Sequence, residues 1–320
     1  MLMLTGGTGH VGGRIVARAI AEGTDLLALH RGAAPPAAAA QGSSVTWASC
    51  DDLADADAMN GLAERHGVTS CIHAAAVSNE AYALPDPLGA VVANVGATAT
   101  LLDTARRQGW RRFVLVSTGS VFQKRLMNGA PIPEDAPTVP ENIYSTTKSA
   151  AEMLVRMYRS EFGLSAGTVR ISWVYGPPVV TQDATRGPIP SFVIRALRGE
   201  PIHEGGADFA AGFTFVDDVA EGLLATVSAD KLASPIYHLG HGKNFKLSDV
   251  AEAIRAVIPD AEIELSPGTD PWTRYTALRD PLGVGNMHAD TGFQPGYSLA
   301  QGIAAFIDWL RDRPELWATE

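Results

Sequence analysis

The chain has 320 residues, 46% hydrophobic and 19% charged, the composition of a globular protein rather than a disordered or fibrous one. A net charge of −10 argues against a general binder of nucleic acid or anionic membrane, since those surfaces repel an acidic protein. The apolar run at 1–4 is too short for a signal-peptide core, and no uncharged apolar stretch approaches the roughly 20 residues that span a bilayer, so a soluble, cytoplasmic protein is expected.

In chain order, short apolar runs at 1–4, 25–29, 45–48, 70–74 and 112–116 predict strands. Amphipathic patterns at 11–21 and 91–108 predict helices between them. Strands without polar alternation, separated by helices, indicate a parallel sheet covered on both faces, the doubly wound α/β arrangement. Cys50 and Cys71 fall in such runs and read as buried core thiols rather than a disulfide. Residues 33–44 are a low-complexity loop. Residues 144–162 predict a long helix stopped by Gly163, and 167–174 and 235–239 predict further strands. From about Gly176 the pattern becomes irregular and richer in proline, with helices expected at 189–197, 247–257 and 299–311. The expected organisation is a Rossmann-type dinucleotide-binding domain at 1–175, completed by a strand near 235–240, and a smaller C-terminal lobe at 176–320 that binds substrate.

The first strand runs into Thr5-Gly6-Gly7-Thr8-Gly9-His10-Val11-Gly12 and then a helix. Gly6 permits a tight turn, Gly9 allows close approach of a pyrophosphate, and Gly12 lets helix pack on strand. Free N–H groups and the positive dipole end at the helix start complete an anion site. The second strand ends in His30-Arg31 with no carboxylate to hold a ribose 2′-hydroxyl. An arginine there can pair with a 2′-phosphate, which favours NADP over NAD. Further along, Tyr144 and Lys148 are four residues apart on one helical face, where a nearby ammonium would lower the phenol's pKa towards that of a usable base. His238 and His241 lack cysteine or carboxylate neighbours, and no metal is expected.

The glycine spacing G-x-x-G-x-x-G, with the order of the later motifs, resembles the extended branch of the short-chain dehydrogenase/reductase superfamily, which includes sugar-nucleotide epimerases, dehydratases and reductases. The motifs are His73-Ala74-Ala75-Ala76, Asp52-Leu53, Asn94-Val95-Gly96-Ala97-Thr98, Val116 to Phe122, Tyr144 to Lys148, Arg170 to Pro177, Phe215 to Ala220 and Thr291 to Pro295. The resemblance implies Thr118, Tyr144 and Lys148 as catalytic residues, with Thr118 bonding the reacting substrate oxygen. It also implies cofactor contacts from residues 6–12, His30, Arg31, Asp52, Leu53, Ala74, Ala75, Ala76, Asn94, Ser117, Tyr144, Lys148 and Tyr175. Substrate candidates are Ser78, Asn79, Thr118, Ser120, Trp173 and Arg274. His73 reads as a packed core histidine. Family members often pair through the helices matching 91–108 and 144–162, so a homodimer is expected.

Departures from the family pattern narrow the reaction. The 4,6-dehydratases carry an Asp-Glu pair where this chain has Gly119-Ser120, which argues against dehydration. A phosphate-binding Arg expected five residues before Val216 is Ala211, and an Asn expected before Val174-Tyr175-Gly176-Pro177 is Trp173, so a nucleotide sugar loses support. Ser172 to Gly176 and Ser117 to Phe122 are similar to the dTDP-4-dehydrorhamnose reductases. The expected activity is NAD(P)-dependent hydride transfer at a C–OH/C=O carbon of a sugar or sugar-derived small molecule. The alternative is an NAD-dependent sugar or nucleotide-sugar epimerase. A non-catalytic dinucleotide-binding regulator fits less well, because Thr118, Tyr144 and Lys148 are all present.

Overall fold

The computed structural model describes residues 1–32, 44–123, 129–273 and 275–318. The expected loop thus lies, apart from Ser44, outside the described residues. Strands β1 (Leu2–Thr5), β2 (Leu26–His30), β3 (Val45–Ser49), β4 (Ser70–His73), β5 (Arg112–Thr118) and β6 (Ala166–Ile171) alternate with helices. There follow β7 (Val174–Tyr175), β8 (Ile202–Glu204), β9 (Ala210–Ala211), β10 (Thr214–Phe215) and β11 (Ile236–His238). Seven of these form one sheet in the order β11-β6-β5-β4-β1-β2-β3, with parallel pairing. The order reverses between β1 and β4, which places the carboxyl ends of those strands on either side of a crevice.

Two apolar layers enclose the sheet. On one face Ile15, Val16 and Ala19 of helix His10–Glu22 pack with Val219, Leu223 and Val227 of helix Val216–Ser228. On the other, Met59 and Leu62 of helix Ala56–Arg65 pack with Leu101, Leu102, Ala151 and Val155. Helix Val216–Ser228 therefore belongs with the sheet, as does β11, and more of the later chain returns to the first half than the strand near 235–240. The pair Arg14–Asp217 ties the first of these helices to it. The remaining lobe has its own core, including Phe192, Phe209, Phe213, Val250, Ile254, Ile303 and Phe306.

Three expectations about elements need correction. The strand expected at 167–174 divides, because Trp173 adopts φ 45° and turns the chain out of the main sheet, so that β7 pairs with β10 instead. Such a conformation costs a non-glycine residue about 1–2 kcal/mol and is held by surrounding packing. Helix Ala97–Arg107 is reached through a continuous helical run starting at Pro87, with Asp86 capping and one wide turn at Val92–Gly96. That 21-residue run is apolar and long enough to cross a bilayer, nearer to that length than the sequence reading allowed. Its Asn94, Ala97, Leu101, Leu102 and Ala105 are nevertheless buried in the protein. Lastly, Cys71 is buried as expected, but Cys50 is only half-buried, with its thiol donating to the Asp52 carbonyl.

Helix Ile143–Phe162 begins with a reciprocal Asn142/Ser145 capping box and ends at Gly163 in the left-handed region, φ 64°. These devices define both ends. Midway along it, Glu152 is buried with Arg170 of β6 at 2.7 Å, their side chains 2% and 1% exposed. Glu152→Gln would leave a buried guanidinium without its counter-charge and should destabilise the fold by about 3–5 kcal/mol in urea unfolding. The apolar double change Glu152→Leu with Arg170→Met should lie closer to wild type, since it removes both desolvated charges.

Candidate active site

The crevice floor is the glycine-rich turn. Gly6 has φ 72°, and a Cβ there would lie 2.9 Å from the Ala75 nitrogen. A Cβ on Gly12 would lie 2.0 Å from the Gly6 carbonyl oxygen, so Gly12 serves packing of the helix against the turn itself rather than against the strand. Gly9 caps helix His10–Glu22 without any side-chain bond, and no acidic residue occupies the first turn. The N–H groups at this helix start remain available to an anion. The Ala75 N–H donates to Thr5 Oγ1 at 3.0 Å, which brings Ala74 to Ala76 alongside the turn. His10 donates through Nε2 to the Gly176 carbonyl at 2.9 Å, and burial lowers its pKa to about 4, so it is a neutral tie between the turn and residues 174–178. Thr8 is exposed and Val11 packs partly into the core. This cradle, closed to any side chain at Gly6 and Gly12, fits a dinucleotide pyrophosphate.

At the end of β2, His30 Nδ1 is buried with no hydrogen-bond partner among the described residues, and its ring lies edge-on to Trp47. Arg31 is exposed beside it, and an acid reaches in from beyond the end of β3, where Asp51 accepts the Gly32 N–H at 3.1 Å. Asp52 accepts the Ala54 N–H, and Leu53 packs into the core.

Thr118 ends β5, and its hydroxyl donates to the Tyr144 oxygen while accepting the Ser120 N–H at 3.1 Å. Burial raises the Tyr144 pKa above its ordinary value, opposed by the Thr118 hydrogen bond and by the charge of Arg279. Arg279 is thus a cation beside the phenol that the sequence expectation, which named Lys148, did not include. Lys148 is 3% exposed and donates to the Val116 carbonyl at 2.7 Å. Burial lowers its pKa to about 8, partly offset by Glu152 one turn along. His73 is a buried core histidine as expected, its pKa lowered to about 3 by burial and by Lys148, and it bonds Thr5 at 2.8 Å.

Several predicted residues serve other ends. Ser117 donates its hydroxyl to Glu152 at 2.6 Å, which removes it from the side chains facing the crevice, because successive strand residues point to opposite faces. The Tyr175 ring is buried in the lobe core against Phe215, its hydroxyl on the Leu299 carbonyl, so it offers no side-chain contact to a cofactor. Asn94 is spent on Val77 N–H and C=O and on Thr147. Asn79 caps a short helix by accepting the Tyr82 N–H, while Ser78 is exposed at the crevice edge. The Trp173 ring packs against Phe209 and Phe213. Arg274 lies outside the described residues.

Two residues were missed. Glu80, 7% exposed, accepts the Tyr144 N–H at 2.8 Å and so anchors the start of the catalytic helix. Arg279 enters from the lobe, on no recognisable motif, and its Nη2 donates to Ser172 at 3.0 Å. Irregular chain around it gave no periodicity from which to choose between Arg274 and Arg279.

The sequence model of the NAD dependent epimerase/dehydratase family matches residues 2–240. The chain belongs to that family. It is 26% identical over 96% of its length to a dTDP-glucose 4,6-dehydratase of Xanthomonas campestris, covering 92% of that protein. It is 28% identical over 83% of its length to a trifunctional UDP-glucose 4,6-dehydratase/UDP-4-keto-6-deoxy-D-glucose 3,5-epimerase/UDP-4-keto-L-rhamnose-reductase of Arabidopsis thaliana, of which it spans only 39%. The solved UDP-glucose 4-epimerase of Thermus thermophilus, in complex with NAD, shares the fold with a TM-score of 0.81 at 23% identity, over 98% of this chain and 99% of that one.

Because the folded-state pKa of Lys148 lies near 8 and the ordinary value is 10.5, the unfolded chain binds more protons between these pH values. Stability should therefore rise with pH across that window, and the burial cost is complete below it. Relative to Lys148→Met, the cofactor-free wild type should gain up to about 3 kcal/mol between pH 8 and pH 10.5 in chemical unfolding.

Proposed function

We propose that the protein is an NAD(P)-dependent oxidoreductase that transfers hydride at a C–OH/C=O carbon of a sugar or sugar-derived substrate. The observation that carries this reading is the bonded hydroxyl pair of Thr118 and Tyr144 at the carboxyl end of β5, beside buried Lys148. The bound dinucleotide supplies the hydride acceptor or donor. Thr118 and Tyr144 hold the reacting oxygen between them, and Tyr144 takes or returns its proton. Since burial keeps the free phenol protonated at neutral pH, Tyr144 is ready to act as the acid of a reduction. Lys148, with one N–H on Val116, has two left for the ribose hydroxyls.

β2 itself ends without a carboxylate and with Arg31 exposed, which supports NADP, whereas Asp51 on the Gly32 N–H, the family and the Thermus relative support NAD. Ala211 is buried in β9 rather than presenting a cation, which supports a substrate smaller than a nucleotide sugar. A second reading, nucleotide-sugar epimerase, is favoured by a cavity of about 490 Å³ in the lobe between Gln182, Ser191, Phe209, Asp270 and Trp272. Exposed Met153, Met157, Val91 and Val92 on the two long helices support a homodimer through that face.

Turnover should be sought with sugars, sugar acids, lactones and nucleotide sugars, each with NAD and NADP, by absorbance of the reduced nicotinamide. Tyr144→Phe should lower kcat by about 10²–10⁴-fold on whichever substrate is found. Unchanged turnover in that variant would remove Tyr144 as the acid/base.

A further inference from the structure

We infer that Glu80 and Tyr82 are positioning residues for Tyr144, and that Arg186 of the lobe steadies them by lying over the Tyr82 ring. The lobe thereby fixes the start of the helix that bears the acid/base, a role for Tyr144 that rests on the oxidoreductase reading.

First-turn N–H groups have no partner within their own helix. Helix Ile143–Phe162 covers its Ser145 N–H with the Asn142 side chain at 2.8 Å, whereas the Tyr144 N–H is met by Glu80, brought from 64 positions away, at 2.8 Å. A carboxylate at that end makes a charge-assisted bond favoured by the helix dipole. Glu80 is 7% exposed, and this is its side-chain hydrogen bond among the described residues. A buried carboxylate without a cation is costly, and here it is committed to the backbone of the acid/base itself. Glu80 and Tyr82 share a single helical turn, Glu80–Ala83. Asn79 closes that turn, its side chain accepting the Tyr82 N–H at 3.0 Å and its carbonyl the Ala83 N–H at 3.1 Å. A displacement of Tyr82 is therefore transmitted to Glu80 and on to Tyr144.

Tyr82 is 45% exposed, and what covers the rest of its ring comes from the lobe. The Arg186 guanidinium carbon lies 5.5 Å from the ring centroid, within the range of a cation–π contact. Among the described residues that guanidinium has no carboxylate or carbonyl partner. The arm that carries it is a compact turn. Asp183 accepts the Thr185 N–H through its side chain at 2.9 Å and the Arg186 N–H through its carbonyl at 3.0 Å. Trp272 Nε1 donates to the Ala184 carbonyl at 2.9 Å and meets Phe192 of the lobe core with ring centroids 5.7 Å apart. At the root of the arm Gly187 takes φ 88°, and a Cβ there would lie 3.1 Å from the Trp173 ring. The charge of Arg186 also reaches His10, so the arm stands near both the glycine turn and residues 80–83. The path from the lobe core to the acid/base thus runs through Trp272, Ala184, Arg186, Tyr82 and Glu80.

The test uses the full chain with Tyr82→Ala, Tyr82→Phe, Arg186→Gln and the double variant Tyr82→Ala with Arg186→Gln, all at exposed or half-buried side chains outside the core. On whichever sugar or sugar derivative is turned over, Tyr82→Ala and Arg186→Gln should each lower kcat by about two- to fivefold, the size of one exposed cation–π contact, with KM for substrate and dinucleotide unchanged. The double variant should be no slower than either single one, and Tyr82→Phe, which keeps the ring, should restore kcat. Isotope labelling of the seven tyrosines isolates the Tyr144 amide in magnetic resonance. Its hydrogen exchange should quicken by about two- to fivefold in Tyr82→Ala and Arg186→Gln, and by at least about tenfold in Glu80→Ala. A rise in KM confined to Arg186→Gln would make that residue a ligand contact and overturn the inference while leaving hydride transfer intact, as would additive losses in the double variant. If wild type turns nothing over, the oxidoreductase reading fails instead, and the exchange rate of the Tyr144 amide decides the positioning role alone. A rate unchanged in Tyr82→Ala and Arg186→Gln would overturn that role in either case.

Discussion

The ion pair between Glu152 and Arg170 is the constraint on which the geometry of the site depends. Arg170 bonds both carboxylate oxygens, stacks at 4.9 Å over Phe122, and donates to the Glu134 carbonyl and to His238 Nε2. His238, kept neutral by burial with its pKa lowered to about 3, passes the connection to the Gly283 carbonyl through Nδ1. Gly283 in turn donates to Ile132, and Ile132 to Pro281, so the segment carrying Arg279 is fastened to the same buried group. One network thus sets the helix bearing Tyr144 and Lys148, the end of β5 and the loop bearing Arg279. Its stabilisation is modest against the cost of desolvating two charges, and its value lies in admitting one arrangement.

Around that centre, each half of the molecule makes a different contribution. The sheet and its helices supply a rigid crevice with a glycine floor, and the lobe supplies a cation and a wall. They meet at 172–176, where Ser172 holds Arg279, Trp173 turns the chain at φ 45°, and Gly176 accepts the His10 hydrogen bond. Strain at Trp173 is maintained by its aromatic neighbours Phe209 and Phe213, which belong to the lobe core. Packing far from the chemistry therefore sets the direction in which the chain leaves the sheet.

The electrostatics of the crevice differ from what residue types alone imply. Tyr144 and Lys148 share a helical face, yet burial moves their pKa values in opposite senses, the phenol up and the ammonium down. The same desolvation makes His10, His73 and His238 neutral, so each serves as a fixed hydrogen-bonding group. Beside Gly119 the local charge is the positive one of Arg279, whose Nη2 would lie 3.1 Å from a Cβ at that position.

By itself, the sequence determined the doubly wound sheet, the glycine cradle and the placing of Tyr144 and Lys148 on one helical face. These depend on local periodicity, on positive-φ turns and on side chains a fixed number of residues apart, all of which are written along the chain. Helices Ala56–Arg65 and Val216–Ser228 escaped notice because their patterns are short or merged with a motif. Tertiary structure alone decided that Ser117 serves Glu152, that Tyr175 serves the lobe core, that Glu80 holds the Tyr144 N–H, and that the charge of Arg279 reaches the phenol. Each of those assignments depends on groups 35 to 135 positions apart being brought into contact, and neither spacing nor composition encodes which distant partner a buried polar group will meet.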